Sequence, residues 1–162
     1  MKKQDHLPLY GVGPFYVYVV AALTLAAVLM RNRSIFGSGK LSGLHLPLLI
    51  LGIVFIVAGI ALWVYAVLIS KIDDGIKENR LVTTGAYALV RNPIYSAVMI
   101  ACMGVILMIG NVWFFPLPLL YWLIMTVLMK ATEEKWLRNL YGKEYEAYCR
   151  RVNRCWPWFN IK

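Results

Sequence analysis

Hydrophobic positions along this chain gather into four long runs, Pro14 to Met30, Leu44 to Ser70, Pro93 to Gly110 and Val112 to Met129, separated by short polar stretches. Each approaches the roughly 20 residues that an apolar helix needs to cross a hydrocarbon core. Leu44 to Ser70 holds 27 residues without a charge. As a helix it reaches about 40 Å against a core of about 30 Å, so it must tilt or project into the interface. The first run is closed by Arg31-Asn32-Arg33 instead of a small-residue cleavage site, so it reads as a transmembrane helix and not as a signal peptide. Glycines and serine at 37 to 39 mark a loop. Pro93 forbids a continuous helix from Ala88 through Tyr95 and suits the first turn of a new one. Gly110-Asn111 is a tight reversal, which makes the last two runs an antiparallel hairpin. Pro116 and Pro118 predict a kink or an irregular first turn there.

After Lys130 the pattern changes. The segment TEEKWLRNLYGKEYEAYCRRV, residues 132 to 152, sets Leu137, Leu140, Tyr141, Tyr145 and Tyr148 three to four apart with charges between them. That spacing predicts an amphipathic helix at the interface, broken at Gly142. Trp156, Trp158 and Phe159 in the tail suit headgroup level. The expected architecture is an all-α integral membrane protein forming a single membrane domain over residues 1–162. It has about four transmembrane helices, near 14–30, 44–70, 93–110 and 112–129, and a C-terminal amphipathic interfacial helix.

Composition supports this reading, since 60% of residues are hydrophobic and 15% charged, against about 45–50% and about 25% for soluble domains. A net charge of +9 would suit nucleic acid only on a soluble fold, and little chain is left to build one. Here it anchors the protein to an anionic leaflet, and no nucleic-acid partner is expected. With four spans, 14 of the 17 basic residues and all eight acidic ones fall on one side. The positive-inside rule makes that side, with both termini and the 71–92 loop, cytoplasmic. Cys102, Cys149 and Cys155 have no CxxC spacing, and no His cluster accompanies them, so they read as reduced thiols and no metal site is expected. His45 falls on the opposite membrane side and His6 has no partner motif, so neither reads as catalytic.

The same topology returns two polar stretches to one membrane face: Leu81 to Tyr95, LVTTGAYALVRNPIY, and Glu133-Glu134. Regions 71–95 and 130–162 thus share the cytoplasmic face and are expected to form one composite region. The motifs LVTTGAY, RNPIY and EEKWLRNLYGKEYEAY resemble the isoprenylcysteine carboxyl methyltransferase family and its relatives among membrane phospholipid methyltransferases. Those are multi-span proteins that use S-adenosylmethionine at the cytoplasmic face. The resemblance covers Asn79 to Pro157 and leaves the first two helices outside it.

Carried over residue by residue, the resemblance implies that Asn79, Arg80, Leu81 and Val82 contact the cofactor, mostly through backbone, with Tyr87 beside it. Asn92, Pro93, Ile94 and Tyr95 wrap it further, and Glu133 closes the pocket with Glu134 as neighbour. Arg91, Asn92, Tyr95 and Glu133 are the candidate catalytic residues. Two positions depart from the family pattern. Asn92 stands where histidine is common, and Met129, beside Lys130, stands where members acting on prenylcysteine carry an arginine for the substrate carboxylate.

The chemistry suits such a site. A carboxylate accepts from ribose hydroxyls or an ammonium, aromatic rings pack on adenine, and basic groups meet a carboxylate. The protein's task is to position and desolvate the reactants. Each residue also has a plainer role. Arg91 fits an interfacial anchor, Glu133 and Glu134 fit helix pairs with Lys135 and Arg138, and Tyr141, Tyr145 and Tyr148 fit packing. The expected function is methyl transfer from S-adenosylmethionine to a lipophilic acceptor entering from the bilayer: a prenylcysteine-like carboxylate, a phospholipid amine or a small thiol. The alternative is a non-enzymatic membrane scaffold or transport accessory protein.

Overall fold

The computed structural model describes residues 11–70 and 80–157. Asn79, His6, Trp158 and Phe159 lie outside the described residues. The chain forms α1 (Gly13–Met30), α2 (His45–Val64, continued by a π turn at Tyr65–Ile69), α3 (Ala86–Leu89), α4 (Pro93–Ile109), α5 (Pro116–Ala131) and α6 (Glu133–Arg151). Among the described residues there is no strand, only an isolated antiparallel bridge between Lys40 and Asn111.

Three segments are long and apolar enough to cross a membrane: Gly13–Met30, Ser42–Ile69 and Val112–Ala131. The fourth run, α4, has 17 residues, about 26 Å at 1.5 Å per residue, which is short of a typical core. It compensates by position, because it packs against α2, α1 and α5. Large apolar side chains on the outer helices face outward, with Leu46 65%, Ile60 56% and Leu119 66% exposed. Stripes of this kind need lipid, and the protein is an all-α integral membrane protein.

Local chemistry explains the ends. Pro93 occupies the first turn of α4, where a missing N–H is no loss. Gly110, at φ 60° and ψ 42°, ends α4 in the left-handed region that glycine adopts without strain. The prolines of the next run mark the irregular start expected of them. A 3-10 turn at Val112–Phe114 precedes α5, and Pro116 begins the helix. Asn111 is buried, donates through Nδ2 to Phe36 O at 2.9 Å and accepts from Trp113 N at 3.1 Å. It joins the 31–43 loop to the hairpin and closes this end of the bundle.

Between the ends, α2 and α4 run antiparallel at close range. A Cβ on Gly59 would stand 2.7 Å from Ala97 O, and one on Gly104 would stand 2.8 Å from an Ile56 side-chain carbon. Small residues at this seam let the two backbones approach. On the other side of α4, Tyr16, Val20, Met99, Ile106, Tyr121, Met125 and Met129 form the core. Thr24 Oγ1 lies 2.9 Å from Tyr121 Oη and links α1 to α5.

Gly104→Val should separate α2 from α4 and destabilise the protein by about 1–3 kcal/mol, the usual range for overpacking. Thermal melts in detergent read this as a lowered Tm. An unchanged Tm would mean that the seam is looser than described.

Candidate functional site

The opposite end of the bundle gathers the start of α1, the end of α2, residues 81–95, α6 and the segment after it. Gly85, at φ 62°, turns the chain into α3. Ser70, at the end of α2, accepts from Ala86 N at 2.9 Å and so caps that short helix. The chain then extends through Val90 into the Arg91-Asn92 turn. Residues 153 to 155 cross that turn as a strap. Arg91 N donates to Asn153 O at 2.8 Å, Asn92 Nδ2 donates to Arg154 O at 3.1 Å, and Cys155 is buried in the core behind.

A narrow cleft, with about 440 Å³ of empty space once its open mouth is counted, lies between this turn and α6. Arg80, Leu81, Val82, Tyr87, Arg91 and Asn92 line one side, and Leu137, Tyr141, Tyr145 and Tyr148 line the other. Gly142, at φ 51° and ψ −122°, breaks α6 beside these tyrosines. Tyr148 Oη donates to Tyr87 O and fastens the two walls together. Two polar atoms in the lining are buried with no partner, Arg91 Nε and Tyr141 Oη.

Glu133 stands apart from the cleft, and it solves a problem elsewhere. Helix α1 begins at Val12-Gly13 with no capping side chain of its own and no acidic residue in its first turn. Glu133, first residue of α6, accepts hydrogen bonds from the backbone N–H groups of Gly13 and Val12, and from Tyr95 Oη at 3.0 Å. A carboxylate there meets both the orphan N–H groups and the positive end of the helix dipole. Gly13 permits the approach, since a Cβ on it would overlap the Tyr95 ring and hydroxyl. Burial nonetheless dominates and raises the Glu133 carboxyl above its ordinary value, with the hydrogen bonds from Tyr95, Gly13 and Val12 opposing the rise.

Glu134 has the opposite environment. Its carboxylate takes a forked pair from Arg154, through Nε to Oε1 and Nη2 to Oε2 at 2.9 Å, while Arg91 Nη1 stands 3.3 Å from Oε1. Burial works to raise its pKa, but the Arg154 hydrogen bond and the charges of Arg91, Arg154 and Arg138 outweigh it and hold the carboxyl below its ordinary value. Arg91 Nη1 also donates to Cys149 Sγ at 2.6 Å.

The expected site residues therefore divide. Arg80, Leu81, Val82, Tyr87, Arg91 and Asn92 meet around the cleft. Pro93 and Ile94 form the first turn of α4, and neither lines it, nor do Tyr95, Glu133 and Glu134. Tyr95 and Glu133 form a second polar group at the start of α1. Sequence reasoning missed Arg154, the strap and the Val12-Gly13 end of α1. The last had a signal, a Gly-Val-Gly-Pro helix start with no residue able to cap it.

The architecture and this arrangement define a class, a helical membrane protein with a polar, aromatic-lined site at one end of its bundle. Residues 44–144, more than half of the chain, match the phospholipid methyltransferase family, and the chain belongs to it. The match takes in α2, beyond the segment where the motifs resemble the family, and stops before the strap. A protein-S-isoprenylcysteine O-methyltransferase of Schizosaccharomyces pombe is 35% identical over 79 residues, 47% of this chain and 32% of that relative. The chain thus matches about a third of that relative's length. No solved structure matches the chain.

The two glutamates give opposite pH dependences. With its lowered pKa, Glu134 contributes stability that is full above the ordinary value, 4.5, and lost as pH falls through the lowered one. With its raised pKa, Glu133 contributes stability that is full below that ordinary value and lost as pH rises through the raised one. Glu133→Gln should therefore melt no lower than wild type at about pH 7, whereas Glu134→Gln should melt lower there and converge on wild type toward about pH 3. Melts across that range check both, and equal losses for the two variants at neutral pH would contradict the assignment.

Proposed function

We propose that this protein is an S-adenosylmethionine-dependent methyltransferase that acts at the cytoplasmic membrane face on a lipophilic acceptor. The cleft between the Arg91-Asn92 turn and α6 carries this reading. Its lining combines aromatic faces with a few convergent polar groups, the chemical character of a small-molecule site. Arg91 and Tyr141 set a guanidinium and a phenol at its wall, groups suited to a ligand that brings both a carboxylate and hydroxyls. Membership in a family named for methyl transfer favours this over a scaffold or transport accessory role.

Arg91 would hold the carboxylate of the cofactor, Tyr87, Tyr141, Tyr145 and Tyr148 would supply faces and hydroxyls to its adenosine, and Arg80, Leu81 and Val82 would border it with backbone. When bound, S-adenosylmethionine supplies an electrophilic methyl group. The chain's own contribution is positioning and exclusion of water. The strap fixes the Arg91-Asn92 turn, and the apolar core behind Tyr95 and Glu133 keeps that side dry. Glu133 and Tyr95, at the edge of that core, suit the acceptor's polar end. The basic excess at this end of the bundle supports a cytoplasmic site. The family's name points to a phospholipid acceptor, and the relative's name to a prenylated cysteine. Met129 is fully buried and Lys130 exposed. The position expected to carry a carboxylate-binding arginine therefore offers no cation, which favours the phospholipid amine.

Titration calorimetry on the detergent-solubilised full chain should detect S-adenosylmethionine binding, and Arg91→Met should weaken it roughly tenfold, as expected for one charge-assisted hydrogen bond. Methyl label from the cofactor should appear in a membrane lipid fraction. No binding by the wild type sinks the enzyme reading, and label confined to water-soluble products sinks the lipophilic acceptor.

A further inference from the structure

The strap contains a charge whose placement bears directly on the cleft. Arg91 and Glu134 are both about nine-tenths buried, with side chains 10% and 8% exposed. A lone buried pair of this kind would draw together and neutralise. Here Arg154 takes both oxygens of Glu134 with its planar fork, the geometry that suits guanidinium to carboxylate. Arg91 is left with one longer contact to a shared oxygen of Glu134, beside its Nη1 hydrogen bond to the uncharged Cys149 Sγ. Its Nε stays without a partner, and its charge is only partly compensated. Arg138, exposed on α6, adds positive field to the same carboxylate and no further acid. The buried group of Arg91, Arg154 and Glu134 carries a formal surplus of one positive charge beside a cleft that Arg91 lines.

We propose that Arg154 is a positioning residue for Arg91. By occupying Glu134 it keeps the Arg91 guanidinium available to an oxyanion group of the ligand in the cleft. This rests on the methyltransferase reading for the identity of that ligand, while the role itself concerns any oxyanion. Without Arg154, Glu134 has only Arg91 as a buried cation among the described residues and captures it. The two strap hydrogen bonds, Arg91 N to Asn153 O and Asn92 Nδ2 to Arg154 O, use backbone carbonyls and survive a side-chain change at 154.

The test is a set of variants of the full chain in detergent: Arg154→Met, Arg154→Lys, Glu134→Gln and the double variant Arg154→Met/Glu134→Gln. Two ligands are titrated, S-adenosylmethionine by calorimetry and turnover, and inorganic sulfate by its saturable stabilisation in thermal melts. Arg154→Met should raise the cofactor KM about tenfold, the equivalent of one charge-assisted hydrogen bond, with kcat little changed. Arg154→Lys, a point charge on the same carboxylate, should fall between it and wild type. The double variant should recover most of the lost affinity for both ligands, because the competing carboxylate has become neutral. A merely structural strap predicts the reverse, a double variant at least as impaired as Arg154→Met. Recovery with either ligand supports the positioning role, and its absence with both overturns it. If sulfate affinity recovers while wild type shows no S-adenosylmethionine binding, the methyltransferase reading fails alone. Binding of the cofactor without recovery in the double variant with either ligand overturns the positioning role alone.

Discussion

A helix that starts without a cap must borrow one, and in this protein that need joins α1 to α6. The N–H groups at the start of α1 meet the carboxylate of Glu133, which Tyr95 steadies from α4. Three helices from distant parts of the sequence thus share one polar contact at the rim of an apolar core. Burying a carboxylate there is unfavourable, as its raised pKa shows, and the helix end and the tyrosine partly offset that. Glu133 is therefore a structural cap supplied from another helix.

Its neighbour Glu134 is held by different forces. The forked pair with Arg154 and the looser contact to Arg91 keep it ionised in a buried setting. One residue of rotation along α6 thus separates a carboxylate strained by burial from one stabilised by guanidinium groups. The Glu133-Glu134 pair serves two polar groups, one at the membrane-spanning core and one at the cleft.

Much of this was legible in the sequence because the signals are local. Apolar runs bounded by Arg31-Asn32-Arg33, Pro93 and Gly110-Asn111 set the helices to within a few residues, and the hairpin between them implied that residues 81–95 and Glu133-Glu134 share a face. The break at Gly142 followed from a single glycine in an amphipathic pattern. The long-range pairings were not legible. Among eight basic residues after Met129 nothing in spacing marks Arg154 as the partner of Glu134, since the choice depends on how the strap crosses the Arg91-Asn92 turn. Tyr141, Tyr145 and Tyr148 fit a packing stripe, and Tyr145 and Tyr148 are indeed buried, yet all three also line the cleft. The motifs alone do not tell the residues that line the cleft from Pro93 and Ile94, which form the first turn of α4 and lie outside its lining.

The strap also sets an order of assembly. A ribosome delivers the chain from its N-terminus, so α1 enters the bilayer long before α6 exists, and its first N–H groups wait for a carboxylate synthesised some 120 residues later. The Arg91-Asn92 turn likewise lacks its clasp until residues 153 to 155 emerge, some 60 residues later. Insertion of the helices and completion of the cleft are thus separate events in time. A chain stalled before residue 153 would hold a membrane bundle whose Arg91-Asn92 turn has no clasp.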